Sequence, residues 1–491
     1  MQTKELFTSR WGLLVAAIGM AVGTGNIWRF PRVAAQNGGG AFLIPWIVFL
    51  LLWSIPLLMV ETAMGRHARK GTIGAFGRLM GADYAWLGAF VGFCSMAIMF
   101  YYSVVAGWCF KYLSGAIGGG LLEQSGEQYW AGFQANGWES VMFHFMAMSI
   151  AGAIVYRGVI NGIEKASKVL IPLLFVLLLA GTARAMTLPG AVDGLNFLFN
   201  PDLSLLLDYR IWLEGLTQSA WSTGAGYGLL LSYAVYTSKR DDIVMNSMTI
   251  GFGNNSASLL AGIMVICSVF ALAPADPGAP AAQELLELGG PGNTALSFLW
   301  IPALFQQMPF GRVSLILFFV ALVVAAISSL IAMIELGTRI FMDAGMSREN
   351  AVKFVVCGGF LLGLPSALSM QFLMNQDNVW GIGLMVSGFL FAVAVNKFGV
   401  RRFRKELIEP ARNDIAIGRW FDILLKWVIP AEFIVMITWW LYQATISDPQ
   451  WWNPAAVFNL GTCVFQWGVA FILFRLFNGR MAAATLTESE G

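Results

Sequence analysis

Residues 17–31 read Ala17-Ile18-Gly19-Met20-Ala21-Val22-Gly23-Thr24-Gly25-Asn26-Ile27-Trp28-Arg29-Phe30-Pro31. The run opens as an apolar helix, then gathers closely spaced glycines, an amide, a guanidinium and a proline. Glycine weakens a helix through its backbone entropy, and proline removes a main-chain donor, so this is a poor way to continue a helix. Glycines alone would read as a small-residue packing face. Asn26 and Arg29 within the same two turns shift that balance. Polar groups at membrane depth are costly unless they line a cavity or meet a ligand. A second interruption repeats the theme: Gln218-Ser219-Ala220-Trp221-Ser222-Thr223-Gly224-Ala225-Gly226-Tyr227-Gly228.

The surroundings of both interruptions are strongly apolar. Of 491 residues, 57% are hydrophobic and only 12% charged, with a mean hydropathy of +0.68. A soluble domain needs far more charge to cover its surface, so the composition predicts an all-α integral membrane protein. A hydrocarbon core requires about 20 apolar residues per helix. Such spans run roughly over 11–36, 41–65, 86–117, 138–156, 166–185, 211–236, 243–272, 312–341, 350–369, 376–396, 420–444 and 453–477, twelve in all. Nineteen Trp and thirty-seven Phe suit lipid-facing and interfacial surfaces. The five cysteines lie inside apolar runs without paired spacing and read as buried, reduced thiols. The first apolar run is too long for the h-region of a cleavable signal peptide.

Orientation follows from the basic residues between spans. They collect at Lys4 and Arg10, at 66–78, 157–168, 239–240, 339–353 and 397–412, all on one side of a twelve-helix serpentine. The positive-inside rule puts that side, and both termini, in the cytoplasm of a cell whose inner (plasma) membrane holds the protein. The predicted organisation is an N-terminus 1–10, a first repeat 11–185, an extracellular loop 186–208 and a second repeat 209–400 with an outer loop 273–309. A cytoplasmic loop 401–419, two helices within 420–478 and a cytoplasmic tail 479–491 complete it. The two outer loops are rich in Pro, Gly and Asp and long enough to pack as lids.

Spans one and six hold corresponding places in two halves of five helices. Paired interruptions of this kind point to a binding site between inverted repeats. Half-helix N-termini offer N–H groups and a positive dipole to a carboxylate, and released carbonyls suit a small cation. Other classes lack their signals. There is no Ser/His/Asp set, HExxH or acidic metal cluster for an enzyme, no repeated filter ring for a channel, and no added signalling domain for a sensor. Nothing in the pattern asks for a nucleic acid. The expected partners are a small-molecule substrate and membrane lipid, with oligomeric state left open.

Four stretches in order carry a resemblance: 22–31, Gln36-Asn37-Gly38-Gly39-Gly40-Ala41-Phe42, Pro56 to Arg66, and Gly162-Ile163-Glu164-Lys165-Ala166-Ser167-Lys168. The chain resembles the neurotransmitter:sodium symporter family, in its bacterial leucine-transporter branch, over roughly residues 8–400. The short 119–137 loop, without a cysteine pair or sequon, fits a bacterial member. The resemblance implies a LeuT-type 5+5 inverted repeat with unwound helices 1 and 6, plus two C-terminal helices. It implies sodium-coupled import of a neutral amino acid by alternating access, with two Na+ sites.

By position, the resemblance assigns one sodium site to the Ala21 carbonyl, the Asn26 side-chain oxygen, Ser222 and Asn254, completed by the substrate carboxylate. A cation beside a carboxylate in low dielectric strengthens both bindings. The second site takes carbonyls of Gly19, Val22 and Ala325 with hydroxyls of Ser328 and Ser329, a hard-oxygen set suited to an alkali cation. The substrate carboxylate meets the N–H groups of Thr24 and Gly25 and the phenol of Tyr102, close to Ala21 and Ser222. Ile98, Trp221, Gly224, Tyr227, Ser329 and Met333 line the side-chain pocket. Gly23 stands where monoamine carriers have an aspartate, so the ligand itself is expected to bring the carboxylate. Gly224 replaces a serine of leucine-type members and adds room for a large aliphatic or aromatic side chain, some of which Trp221 takes back.

A chloride question follows from the same alignment. Ser258 stands where chloride-independent bacterial members have a carboxylate, and it joins Gln218, Ser222 and Asn254 as in chloride-dependent animal members. Trp46 replaces the tyrosine that helps to bind the ion. Either chloride binds with altered ligands or another acid, with Glu214 a candidate, compensates. The resemblance makes Arg29 and Asp377 an outer gate pair, Tyr102 and Tyr227 a thin aromatic lid, and Lys4 and Asp343 an inner pair with Tyr236 between them. Lysine at position 4 cannot make the bidentate fork of arginine. Glu61 has a structural role, hydrogen-bonding backbone freed by the broken helices. Glu335 resembles a buried acid of animal members, and Glu432 has no assignment.

Overall fold

A computed structural model describes residues 6–273, 281–287 and 296–486. Lys4 and parts of the 273–309 loop therefore lie outside the described residues. Among the described residues, eight helices are long and apolar enough to cross a membrane, and ten if each of two bent pairs is one span. The first of those pairs is Arg10–Ala21 and Gly25–Gln36, bent by 50°. The stretch predicted as the sixth span, and numbered so below, holds two short helices, Tyr209–Thr223 and Leu229–Ala234. The eleventh is three consecutive helical segments, Arg419–Ile423, Leu424–Val428 and Ile429–Ser447. Neither of these is in the count of ten.

The third and eighth spans, Ala85–Gly118 and Gly311–Asp343, are the longest helices and make the most extensive helix–helix contact. The N-terminal half of the first span packs against the fifth, Lys165–Met186, the seventh, Val244–Leu272, and the eighth. Every residue from Gly12 to Ala21 is buried. A helix apolar on all sides is a buried helix, so this half-span belongs to the protein interior and not to the lipid boundary.

The sixth span is interrupted for a local reason. Gly224, Gly226 and Gly228 have φ of +68°, +88° and +76°, a left-handed region that other residues enter only with strain. The freed backbone is met by side chains of three neighbouring spans. Glu61 accepts from the Gly226 N–H at 2.6 Å and the Leu231 N–H at 3.0 Å. Ser387 donates to the Gly226 carbonyl and Ser95 to that of Tyr227, each at 2.6 Å. Leaving one such buried group unmet costs about 1–3 kcal/mol, which is why irregular backbone at this depth needs a dedicated set of partners.

Several segments read as loops from sequence are helical. Ala191–Phe199 lies on the seventh span, and Leu296–Gln306 brings Phe298 to 6.0 Å from Trp28. At the opposite end, Arg10 reaches Asn246 at 2.8 Å, Asp414 at 3.5 Å and Asp242 at 3.9 Å. Asn413 Oδ1 accepts the Ile243 N–H at 2.9 Å, and the Asp414 N–H donates to Asp242 at 2.7 Å. Four of the five cysteines are buried as expected; Cys357 is exposed on the apolar helix Arg348–Leu368, which corrects the reading of all five as buried.

Candidate functional site

The two interruptions meet at one cavity of about 340 Å³. This is at the small end of ligand cavities, which run roughly 300–1,000 Å³, so it suits a single metabolite better than a peptide. Its polar end is the N-terminus of helix Gly25–Gln36. No atom stands within 4 Å of the direction a Cβ at Gly25 would take, so the backbone there faces open space. The Thr24 N–H donates to Tyr102 Oη at 3.3 Å, and Thr24 Oγ1 lies at the same distance from that phenol. A helix start carries roughly half a positive charge, so this corner attracts an anionic group. A Cβ at Gly23 would be tight, standing 3.0 Å from Ser329 Oγ and 3.2 Å from Tyr102 Oη.

The opposite end is apolar, lined by Ile98, Trp221, Gly224, Tyr227 and Met333. Tyr227 donates its hydroxyl to the Trp221 carbonyl at 3.1 Å, and the two rings stand edge to face at 6.3 Å. The sequence reading pairs Tyr102 with Tyr227 as the lid. In the structure Tyr102 is held at Thr24, and the ring beside Tyr227 is Trp221.

A cluster of neutral oxygens and amides starts at the cavity wall with Ala21, Asn26 and Ser222 and continues behind it with Asn254 and Ser258. Asn26 Nδ2 donates to Ser258 Oγ at 2.7 Å, Asn254 Oδ1 at 2.8 Å and Ser222 Oγ at 3.1 Å. One end of the Asn254 amide lies 2.8 Å from the Ser222 carbonyl and 3.2 Å from that of Ala21. Two acceptors converging on this point call either for the amide nitrogen or for a cation between three oxygens. The donor set is therefore compatible with an alkali ion at the point where Ala21, Ser222 and Asn254 meet. Asn26 joins by its nitrogen, because its oxygen accepts the Gly23 N–H at 2.9 Å. The sequence reading assigns that oxygen to the ion.

Of the second predicted set, Ser328 and Ser329 lie beside Gly19, in the first span's N-terminal half, and Ala325 lies one turn before them. Ser329 Oγ lies 3.3 Å from the Met20 carbonyl and 3.5 Å from that of Gly19, and Ser328 Oγ bonds the Ala325 carbonyl at 3.0 Å. Val22 follows directly on the end of the N-terminal half-helix, its N–H returning to the Ile18 carbonyl at 2.7 Å. Of the predicted chloride ligands, Ser222, Asn254 and Ser258 are together, the two serine hydroxyls 3.5 Å apart. Gln218 is engaged elsewhere: its Oε1 accepts from Arg29 Nη1. Trp46 packs against Phe30 at 4.6 Å, and its indole nitrogen has no partner among the described residues. Glu214 lines a neighbouring cavity, not this one.

The gate residues are arranged differently from expectation. Arg29 and Asp377 both line the cavity, yet Arg29 bonds Gln218 and lies 5.7 Å from the Trp221 ring centroid. Asp343 accepts from Arg339 at 2.7 Å and from the Gly71 N–H. Tyr236 donates to Glu335 at 2.6 Å, and Glu335 also takes the Arg348 guanidinium. Tyr236 thus serves Glu335 instead of bridging to Asp343. Sequence reasoning overlooked Ser95 and Ser387, whose only signal is a lone hydroxyl in an apolar helix. It also overlooked Gly381, against which the Trp221 ring lies.

A family model for the sodium:neurotransmitter symporter family matches residues 4–136 and 128–477. An uncharacterized sodium-dependent transporter of Methanocaldococcus jannaschii is 31% identical, over 91% of this chain and 88% of the relative. YhdH of Bacillus subtilis, also an uncharacterized sodium-dependent transporter, is 30% identical over 88% of this chain and 96% of its own. Among solved structures, MhsT in complex with L-phenylalanine superposes with a TM-score of 0.75 at 28% identity. That match covers 89% of this chain and 99% of MhsT.

Proposed function

The chain belongs to the sodium:neurotransmitter symporter family, and on that premise we propose that it imports a neutral, hydrophobic or aromatic amino acid with sodium by alternating access. The observation that carries this reading is the open N-terminus at Gly25, with Tyr102 and Thr24 beside it and the oxygens of Ala21, Ser222 and Asn254 at and behind the cavity wall. A carboxylate at the helix start and a cation among those oxygens attract each other across a short, dry path, so each raises the affinity for the other. Gly23 brings no acid to the cavity, which supports a ligand that supplies its own carboxylate. The apolar far wall supports a hydrophobic side chain, and the phenylalanine bound by MhsT agrees with an aromatic one.

On this reading Ser328, Ser329 and the carbonyls of Gly19, Val22 and Ala325 hold a second sodium. The twelve-span, 5+5 arrangement with both termini cytoplasmic is part of the same proposal. It is supported by the paired breaks and by basic loops gathered on one side. Arg29 and Asp377, facing across one cavity, close the outer path in a further state of the cycle. The neutral cluster at Ser258 favours a chloride requirement, because no carboxylate there balances the charge of the cation. Uptake into proteoliposomes, with labelled phenylalanine, tryptophan, leucine and glycine, tests the reading. Accumulation of a hydrophobic amino acid is expected under an inward sodium gradient, faster with chloride. No accumulation of any amino acid would overturn the transport reading, and equal uptake in potassium would overturn sodium coupling.

A further inference from the structure

A groove of about 690 Å³ lies where the tenth span, Met370–Phe398, turns into the segment that leads to the eleventh. Its wall carries four cations and two acids. Both acids are already taken. Glu406 accepts from Arg402 Nε with both oxygens at 3.0 Å, and Asp422 accepts from Arg404 at 2.8 and 3.0 Å. Arg401, Lys405 and Lys426 have no acidic partner among the described residues. Arg401 and Lys405 sit four residues apart on consecutive helical turns, and Lys426 faces them from the segment Leu424–Val428. Three exposed cations converging from two elements hold an unbalanced positive charge that a phosphodiester neutralises.

What lies beside the groove separates a lipid from a soluble anion. Lys426 Nζ stands 5.3 Å from the ring centroid of Trp427, which is 65% exposed. Trp420, Ile423, Trp427 and Ile434 are all exposed and recur at intervals of three, four and seven, one stripe along the eleventh span. Exposed apolar side chains in a stripe of this length face acyl chains, and tryptophans at one end of such a stripe mark the headgroup level. We propose that this groove is a binding site for an anionic phospholipid, its phosphate held by Arg401, Lys405 and Lys426 and its acyl chains along the stripe. Basic pockets between membrane helices recognise anionic headgroups in this way.

The test is the thermal unfolding midpoint and native mass spectrum of the purified full chain in detergent. Dioleoyl phosphatidylglycerol, dioleoyl phosphatidylcholine or inorganic phosphate is added, to the wild type and to the R401Q/K405Q/K426Q variant. Phosphatidylglycerol is expected to raise the wild-type midpoint and remain bound in the spectrum, with affinity on the order of a hundredfold lower in the triple variant. A K405R/K426R variant, which keeps the charges, is expected to bind like wild type and separates lost binding from lost folding. Equal phosphatidylglycerol retention by the triple variant would overturn the proposal. So would an equal midpoint shift with phosphatidylcholine, which would mean a lipid annulus without headgroup selection. The same shift with inorganic phosphate would mean a soluble-anion site and would also overturn it.

Discussion

The two broken helices solve one problem in opposite ways. At the glycine turn of the sixth span the protein supplies the partners: Glu61, Ser95 and Ser387 take up the backbone of Gly226, Tyr227 and Leu231. In the first span the break is left facing a cavity, with open space before Gly25 and the Ala21 carbonyl aimed at the same point as that of Ser222, which lies at the end of the helix before the glycine turn. A break closed by its own protein is a fixed support. A break whose partners are partly missing from the chain has its energy set by what binds there. The difference assigns rigidity to one half-site and ligand dependence to the other.

That contrast can be broken at each side. The largest effect is expected from Glu61→Ala, which strands two buried N–H donors at a cost of about 2–6 kcal/mol. Its unfolding midpoint in detergent should fall by the same amount with and without sodium. A fall that sodium repairs would move Glu61 from support to ligand site. Asn26→Ala, which removes the amide that holds Ser222 and Asn254 in place, is expected to lower sodium affinity by roughly tenfold to a hundredfold, about 1–3 kcal/mol, with a smaller change in the midpoint measured in potassium. Unaltered sodium-dependent binding of a labelled amino acid would mean that Asn26 does not position the ion ligands. The smallest change is expected from Ser258→Glu, which adds a fixed negative charge at the position whose hydroxyl now lies 2.7 Å from Asn26 Nδ2. Uptake without chloride should rise towards the rate with chloride; an unchanged chloride response would end the charge-balance argument.

Much of the first break was legible because its residues are costly in any other setting. Gly23, Gly25, Asn26 and Arg29 together have no economical place in an intact membrane helix. The sixth break was legible from its glycines, but its supports were not. Ser95 and Ser387 look like any small polar residue at a helix contact, and only the fold brings them to the carbonyls they meet. The partner of Arg29 was hidden for a related reason. Residues 29 and 218 are distant in sequence, and an arginine near an aspartate reads as an ion pair until geometry offers a nearer amide. Tyr236 fell the same way, since Glu335 and Arg348 already formed a pair into which its hydroxyl fits. Amide orientation is not encoded in composition at all: Asn26 belongs to the cluster, yet through nitrogen, because the Gly23 N–H claims its oxygen.

The clasp formed by Asn413 and Asp414 bears on how the molecule can be cut and recombined. These residues lie beyond the second repeat, in what reads as a connector, but they cap the start of the seventh span and meet Arg10 at the entry to the first. The functional unit of the core therefore extends past residue 400. A chimera that exchanges the two C-terminal helices with those of a relative keeps this junction intact only if it is spliced after Asp414, between there and the helix that begins at Arg419.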